Sequence, residues 1–316
     1  MILEKSFPAM GTVNSITILD AEGPGAAGDA RAYLLKLNRA WTCFEEDSLI
    51  SRINREAGQT AVAVDPDTMA ILRLSKSFSE LTQGAFDVTA GPVAALWKAA
   101  MQSGEHPADM QIWQALGLVN WSDILLDEEA GTVLLRKPGQ RIDLGGVAKG
   151  YAADALRERL KGHGVQRALL NLGGTVAAMG CAVRIGVQDP FRSTGVPMGV
   201  LMLEDRCAVT SGIYQRYRKI GGRRYHHIID PRTGFPAKSG LVSVTLIGEN
   251  AAQLDALATA SIILGLEESA TLLAKQGVEA VFVTDQGQVL ITKGLKREFQ
   301  LMNKTNDTVD AHMSVA

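Results

Sequence analysis

The chain has 316 residues, 46% of them hydrophobic and 21% charged, with 32 basic against 34 acidic side chains and a net charge of -2. This is the composition of a globular chain with a large core, and it excludes disordered, collagen-like and disulfide-stapled classes. The balanced charge and the absence of a basic run argue against a nucleic-acid partner. Cys43, Cys181 and Cys207 form no CxxC pair, so neither a zinc knuckle nor a redox pair is signalled, and a reducing compartment fits. No stretch reaches the roughly 18 apolar residues of a membrane span. Residues 1–8 lack the apolar core of a signal peptide, so the expectation is a cytoplasmic protein unless a lipoprotein signal has been removed.

In chain order, residues 12–19 read as a strand rich in β-branched side chains. From Ala27 to about Phe44, the spacing of Ala30, Leu34, Leu37 and Trp41 predicts a helix. Residues 47–54 read as a polar segment. A second helix spans 66–82, and Gly84 to Pro92 is punctuated as a loop. Residues 93–118 are helical with a polar break at 103–108. Strands are expected at 132–136, 140–144, 167–171 and 183–188, with a helix at 147–162 and a turn at Gly173-Gly174. Further strands at 199–204, 208–210, 225–229 and 241–247 precede helices at 251–264 and 267–276. Val281 to Thr284 and Gln288 to Thr292, across Asp285-Gln-Gly287, signal a hairpin. Helices and strands mix without βαβ alternation, which points to an α+β fold. One domain over 1–303 with a flexible tail at 304–316 is expected. Trp41, Trp97, Trp113 and Trp121 read as core aromatics.

Several strings carry candidate chemistry. The helix from Ala251 to Leu264 is apolar nearly all round and should be buried, yet Asp255 and Thr259 share one face of it. A buried carboxylate needs a partner, and Mg²⁺ prefers such oxygen ligands. The plain alternative is a capped loop or a lysine pair for Asp255, with Thr259 bonding back to its own helix. Arg141 to Asp154 reads as strand, glycine turn and helix, an arrangement that binds anions at the helix start, with Lys149 adding charge. It matches neither a P-loop nor GxGxxG, and a plain turn formed by Asp143 explains it as well. In Tyr225-His-His-Ile-Ile-Asp-Pro-Arg-Thr-Gly234, alternation sends His226 and His227 to opposite faces, so at most one serves a given site as proton carrier. Asp87 and Thr89 offer hydrogen bonds and Phe86 an aromatic face, though such a string is by default a turn.

Together, and in order, these strings resemble one family. They are Met10-Gly-Thr12, Asp47 to Asn54, Gly84 to Trp97, Asp143-Leu-Gly-Gly-Val-Ala-Lys-Gly-Tyr-Ala-Ala-Asp154, Asn171-Leu-Gly-Gly174, Thr210-Ser-Gly-Ile-Tyr214, His227-Ile-Ile-Asp-Pro-Arg-Thr-Gly234 and Asp255-Ala-Leu-Ala-Thr259. Over about residues 10–295 the set is similar to the ApbE-type FAD:protein FMN transferases. The resemblance implies two packed lobes with mixed or antiparallel sheets and FAD in the cleft between them. It implies Mg²⁺, or alternatively Mn²⁺, on the side chains of Asp255 and Thr259 and the carbonyl of Gly146. FAD contacts are implied for Met10, for Ala85, Phe86 and Asp87, for Asp143 and Lys149, and from His227 to Ile229. The implied chemistry splits FAD, the substrate, at its pyrophosphate. FMN passes to a Thr or Ser of an acceptor flavoprotein bearing a Ser/Thr-Gly-Ala-Thr-like target, and AMP leaves. His227 is the candidate proton acceptor and Asp255 the metal carboxylate, with Asp87 or Asp230 as orienting groups.

Three positions depart from the family pattern. Gly146 replaces Ala or Ser, Thr175 replaces an acid, and Phe44 replaces Tyr. Competing readings are an FAD pyrophosphatase using water, a flavin-binding module without catalysis, and a chain that is itself an acceptor through Glu268-Ser-Ala-Thr271, which lacks the glycine.

Overall fold

The computed structural model describes residues 2–20, 24–214 and 216–302. The tail expected at 304–316 lies outside the described residues. In chain order the elements are β1 (Leu3–Ala9), β2 (Thr12–Ile18), α1 (Pro24–Trp41), α2 (Leu49–Arg55), β3 (Val62–Ala63), α3 (Pro66–Leu81), α4 (Gly91–Ser103), α5 (Asp109–Leu116), β4 (Ile124–Asp127), β5 (Thr132–Leu135) and α6 (Ala148–Gly162). They continue with β6 (Ala168–Asn171), β7 (Thr175–Met179), β8 (Ala182–Gln188), β9 (Pro197–Glu204), β10 (Cys207–Gly212), β11 (Tyr217–Ile220), β12 (Arg223–His226), β13 (Leu241–Gly248), α7 (Ala251–Leu264), α8 (Leu266–Lys275), β14 (Glu279–Thr284), β15 (Val289–Ile291) and β16 (Phe299–Leu301). Every strand pair is antiparallel and the helices are not interleaved as crossovers, so the fold is α+β as expected.

The chain divides into two compact units, the first comprising Met1–Lys36, Lys149–Tyr214 and Ser239–Ala316, the second Leu37–Ala148 and Gln215–Lys238. In the first, an eight-stranded sheet runs β1-β2-β6-β7-β10-β13-β14-β15. Its first hairpin turns through Met10 and Gly11, both with positive φ (50° and 72°), as a two-residue turn between right-twisted strands requires. Asn14 steadies that hairpin by donating from Nδ2 to the Ala9 carbonyl at 2.9 Å. β13 is buried from Leu241 to Ile247, and α7 packs across β10 and β13, which explains an apolar helix with no polar face. A smaller sheet, β16-β9-β8, closes over Val187, Leu201, Leu203, Ala208 and Val281.

The second unit combines α2 to α5 with the sheet β3-β5-β4 and the ribbon β11-β12. Asp65 caps α3, with Pro66 beginning the helix as Pro favours. Val93, Trp97 and Ala100 of α4, Ile112 and Ala115 of α5, and Ile220 and Ile229 form one buried cluster. Trp97 is its pivot. It stacks on Tyr225 at 5.1 Å and donates from Nε1 to the Gly234 carbonyl at 2.8 Å.

The expected helices at 66–82, 147–162, 251–264 and 267–276 appear within a residue or so, and 93–118 divides at its polar break. Several expectations change, beginning with the 27–44 helix, which runs instead over Pro24–Trp41. Residues 47–54 include helix α2, where the Ser48 side chain accepts from the Ser51 N–H and Ile50 and Ile53 are buried at helical spacing. Residues 140–144 form no strand, because only Arg141 bridges to Ala90. The 225–229 strand ends at His226, with Ile229 bridging to Pro236. Trp113 is 62% exposed rather than core, since Ile112 and Ala115 occupy the inward side of α5, and Trp121 is only half-buried.

Truncating Trp97 to Ala removes both the stacked ring and the bond to Gly234. The loss expected is about 3–5 kcal/mol, read as a lower denaturant midpoint.

Candidate active site

In the first unit, the motifs form a chain of direct contacts. Gly173 has φ 65°, and a Cβ there would lie 2.3 Å from Thr12 Oγ1, so the Asn171–Gly174 turn sits against the Met10–Thr12 turn. The Thr210 N–H donates to the Gly174 carbonyl at 2.8 Å. The next residue, Ser211, faces Thr259 of α7 with the two hydroxyl oxygens 3.4 Å apart. One turn earlier on α7, Asp255 is 4% exposed, and its Oδ2 accepts from the Gly150 N–H of α6 at 3.0 Å.

The contact between α6 and α7 is reciprocal. Asp255 of α7 accepts from α6, and Asp154 of α6 accepts from α7: its Oδ1 and Oδ2 take the N–H groups of Ala251 and Ala252 at 3.0 and 2.9 Å. Asp154 thereby satisfies two of the donors that a helix start leaves open. Arg157 holds that carboxylate at 3.8 Å and donates to the Glu249 carbonyl at 2.8 Å. The helices approach so closely that a Cβ on Gly150 would lie 2.2 Å from the Ala251 carbonyl oxygen. Asp154, Gly150 and Ser211 lay within the quoted motifs, but spacing alone assigned them no role.

Asp255, Thr259 and Ser211 make an oxygen-only donor set including one buried carboxylate, which suits a hard cation such as Mg²⁺. The plain reading also holds in part, because Thr259 Oγ1 donates back to the Asp255 carbonyl at 3.3 Å. Asp255 is met by the Gly150 backbone N–H. Among the described residues, no three His, Cys, Asp or Glu side chains cluster as a metal site. Met10 and Lys149 are half-buried, at the first hairpin turn and in the first turn of α6. Thr175 is fully buried in β7, so this position offers only a hydroxyl.

The second-unit motifs also converge. Asn54 of α2 exchanges two hydrogen bonds with the backbone of Ile142, donating at 3.0 Å and accepting at 2.6 Å. The Asp143 N–H donates to the Val88 carbonyl at 2.8 Å, and Asp143 Oδ1 accepts from the Gly145 N–H at 2.8 Å. Asp143 is therefore a turn former, and the Leu144 carbonyl receives the Ala148 N–H as α6 begins just beyond the half-buried Gly146. Asp87 is buried: Oδ1 accepts from the Thr89 N–H and hydroxyl at 2.8 and 2.7 Å, and Oδ2 from the Trp121 N–H at 3.0 Å. Burial pushes its carboxyl above the ordinary range, against those three donors. Ala85 and Phe86 are buried, and the Phe86 ring meets Phe78 edge-on at 6.5 Å, so its aromatic face is already packed.

The two adjacent histidines separate as alternation requires. His226 is buried, its Nε2 lies 3.0 Å from the Ala237 carbonyl, and its Nδ1 accepts from the Ile228 N–H at 3.3 Å. Only the neutral ring with a proton on Nε2 satisfies both contacts. Desolvation lowers its pKa. His227 is exposed, with Nδ1 3.2 Å from the Arg216 carbonyl. A proton on Nδ1 makes that contact a hydrogen bond. Asp230 is tied to Arg232, through Oδ1 to Nε at 2.9 Å and Oδ2 to Nη2 at 3.0 Å, and Ile229 is buried beside it.

The ApbE family model matches residues 10–282. A FAD:protein FMN transferase of Klebsiella pneumoniae is 33% identical over 278 residues, 88% of this chain and 86% of that protein. Another of that name from Treponema pallidum is 33% identical over 294 residues, 87% of this chain and 81% of that one. Among solved structures, the ApbE protein of Thermotoga maritima superposes with a TM-score of 0.86 at 30% identity, over 94% of this chain and all of that one. The flavin transferase ApbE of Vibrio cholerae does so with a TM-score of 0.82 at 25% identity, over 94% and 99%.

Gly150→Ala forces α6 and α7 apart and should destabilise by about 1–3 kcal/mol in denaturant unfolding. Asp154→Ala, which uncaps α7, should cost about 1–2 kcal/mol in the same measurement. His226 gives a pH signature. Its folded pKa is below the ordinary 6.5, so the unfolded chain takes up a proton that the folded ring refuses. Its contribution is complete above that value and falls as pH drops below it. The stability advantage of the wild type over His226→Gln should therefore shrink between about pH 7.5 and about pH 5.

Proposed function

The chain belongs to the ApbE family, and from that premise and the geometry of its motifs we propose that it transfers the FMN half of FAD to a Thr or Ser hydroxyl of an acceptor flavoprotein, with AMP as leaving group. The observation that supports this best is the buried Asp255 carboxylate, bonded to the Gly150 N–H near the start of α6 and one helical turn from the Thr259 hydroxyl that faces Ser211. On this reading the Asp255 and Thr259 side chains and the Gly146 carbonyl would hold Mg²⁺, which would supply charge withdrawal from the pyrophosphate. Ser211 keeps the Thr259 hydroxyl in place, and Asp154 with Gly150 fixes the height of α7 against α6.

FAD is the substrate, and Met10, Ala85, Phe86, Asp87, Asp143, Lys149 and Ile229 are its proposed contacts. The buried Phe86 ring and the fully engaged Asp87 carboxylate confine the 85–87 contribution to the backbone. Lys149, in the first turn of α6, adds positive charge where the helix start already favours a phosphate. The acceptor hydroxyl attacks the FMN-side phosphorus. The new P–O ester forms as the bond to the bridging oxygen breaks, and the hydroxyl proton passes to Nε2 of His227. Rate enhancement in such transfers comes from positioning and charge neutralisation.

The deciding experiment incubates the protein with FAD, Mg²⁺ and an acceptor domain bearing a Ser/Thr-Gly-Ala-Thr-like target, with EDTA as control, and follows acceptor mass and AMP together. A metal-dependent gain of one FMN per acceptor, matched by AMP, is expected. AMP with free FMN and an unlabelled acceptor would establish the pyrophosphatase instead, and no product at all a binding module. Asp255→Ala should lower the transfer rate by at least about a hundredfold at any Mg²⁺ concentration. For His227→Ala, normal FAD binding with transfer reduced by about 10²–10⁴-fold is expected, and an undiminished rate would remove His227 as the base.

A further inference from the structure

Between Asp205 and Asp230 the chain carries no carboxylate side chain but six basic ones, Arg206, Arg216, Arg218, Lys219, Arg223 and Arg224. Five of the six fall within the nine residues 216–224, separated only by Tyr217 and by Ile220-Gly221-Gly222. Antiparallel pairing of β11 with β12 gathers four of them on one two-stranded ribbon, with Lys219 opposite Arg224 and Ile220 opposite Arg223. All four, with Arg216 just before the ribbon, are exposed, and so is Tyr217, beneath the Arg224 guanidinium at 3.8 Å from its ring centre. The expectation of no basic run passed over this local cluster, which forms one exposed ribbon.

Two features make this ribbon more than a solvated face. Like charges directly opposite across a ribbon are destabilising, and the fold tolerates one such pair, Lys219 with Arg224. The ribbon is also firmly seated. Arg218 donates from Nη1 to the carbonyls of Met101 and Gln102 at the end of α4, at 2.7 and 2.8 Å, and Ile220 lies in the Trp97 cluster. Its two ends meet at the candidate base, because both the N–H and Nδ1 of His227 lie 3.2 Å from the Arg216 carbonyl.

We propose that the β11–β12 ribbon is the docking surface for an acidic face of the acceptor protein, placing the acceptor's hydroxyl beside His227. This rests on the transfer reading above. A protein face is favoured over nucleic acid because the cationic patch is one short ribbon on a chain of net charge -2, whereas a phosphate backbone demands an extended basic track. Charge complementarity of this kind steers encounter and selects partners, and it weakens with salt.

The test uses the triple variant Lys219→Glu, Arg223→Glu, Arg224→Glu, beside the charge-keeping pair Lys219→Arg, Arg224→Lys. Substrates are an acidic acceptor domain carrying the target string and a short uncharged peptide of the same string. Acceptor binding is read separately by fluorescence anisotropy. With the acidic domain, the triple variant should show a KM and Kd raised at least about tenfold and no salt dependence, while the charge-keeping pair behaves as wild type. Its kcat, its KM for FAD and its rate on the peptide should stay unchanged. An unaltered acceptor Kd would overturn the proposal. So would a raised KM for FAD alone, which would assign the ribbon to the FAD diphosphate, or tighter wild-type binding to a DNA oligomer than to the acceptor. A wild type that binds the acceptor but labels nothing sinks the transfer reading, while the anisotropy still decides the ribbon.

Discussion

A carboxylate taken out of water must be met by donors, and in this chain two helices meet that demand for each other. Asp255 of α7 accepts from the backbone of α6, and Asp154 of α6 accepts from the first two N–H groups of α7. Each bond fixes the partner helix at the turn where the other bond originates. Neither helix can slide without uncovering a buried carboxylate or a pair of open helix-start donors. Gly150 is the steric condition for this arrangement, since nothing larger leaves the Ala251 carbonyl its space. The position of Thr259, and through it of Ser211, follows from the same contact.

The acidic residues of the motifs differ in what they do with their charge. Asp87 binds the Thr89 and Trp121 backbone, Asp143 its own turn, Asp230 the Arg232 guanidinium and Asp154 the start of α7. These four carboxylates shape loops and helix ends. Asp255 differs in being a buried carboxylate one turn from Thr259 on an apolar helix, which is why a cation is assigned to it and not to the others. The two histidines divide in the same way: buried His226 is held neutral between a carbonyl and an N–H, and His227 is exposed, against the Arg216 carbonyl beside the basic ribbon.

Much of this was legible in the linear chain. The nearly all-round apolarity of α7 announced a buried helix carrying two polar residues one turn apart, and its observed bounds agree with the reading. The α+β class followed from the mixture of elements, and the glycine turns were marked by glycines that do adopt positive φ, Gly173 and Gly174 among them. Short elements were less legible. α2 was hidden by its polar residues although Ser48, Ile50 and Ile53 carried its cap and buried face, and 140–144 looked like a strand because burial of Ile142 and Leu144 imitates alternation.

The sequence by itself determined which residue types lie on which face of each long helix, because the 3.6-residue period and the aversion of apolar side chains to water act locally. It likewise set the order of the motifs. Only the tertiary structure decided what those motifs touch: that Gly150 and Asp154 bracket α7, that Ser211 faces Thr259, and that Trp113 points outward. The physical reason is that these contacts join residues up to about a hundred positions apart. Their partners are set by strand pairing and helix approach, which no local periodicity encodes.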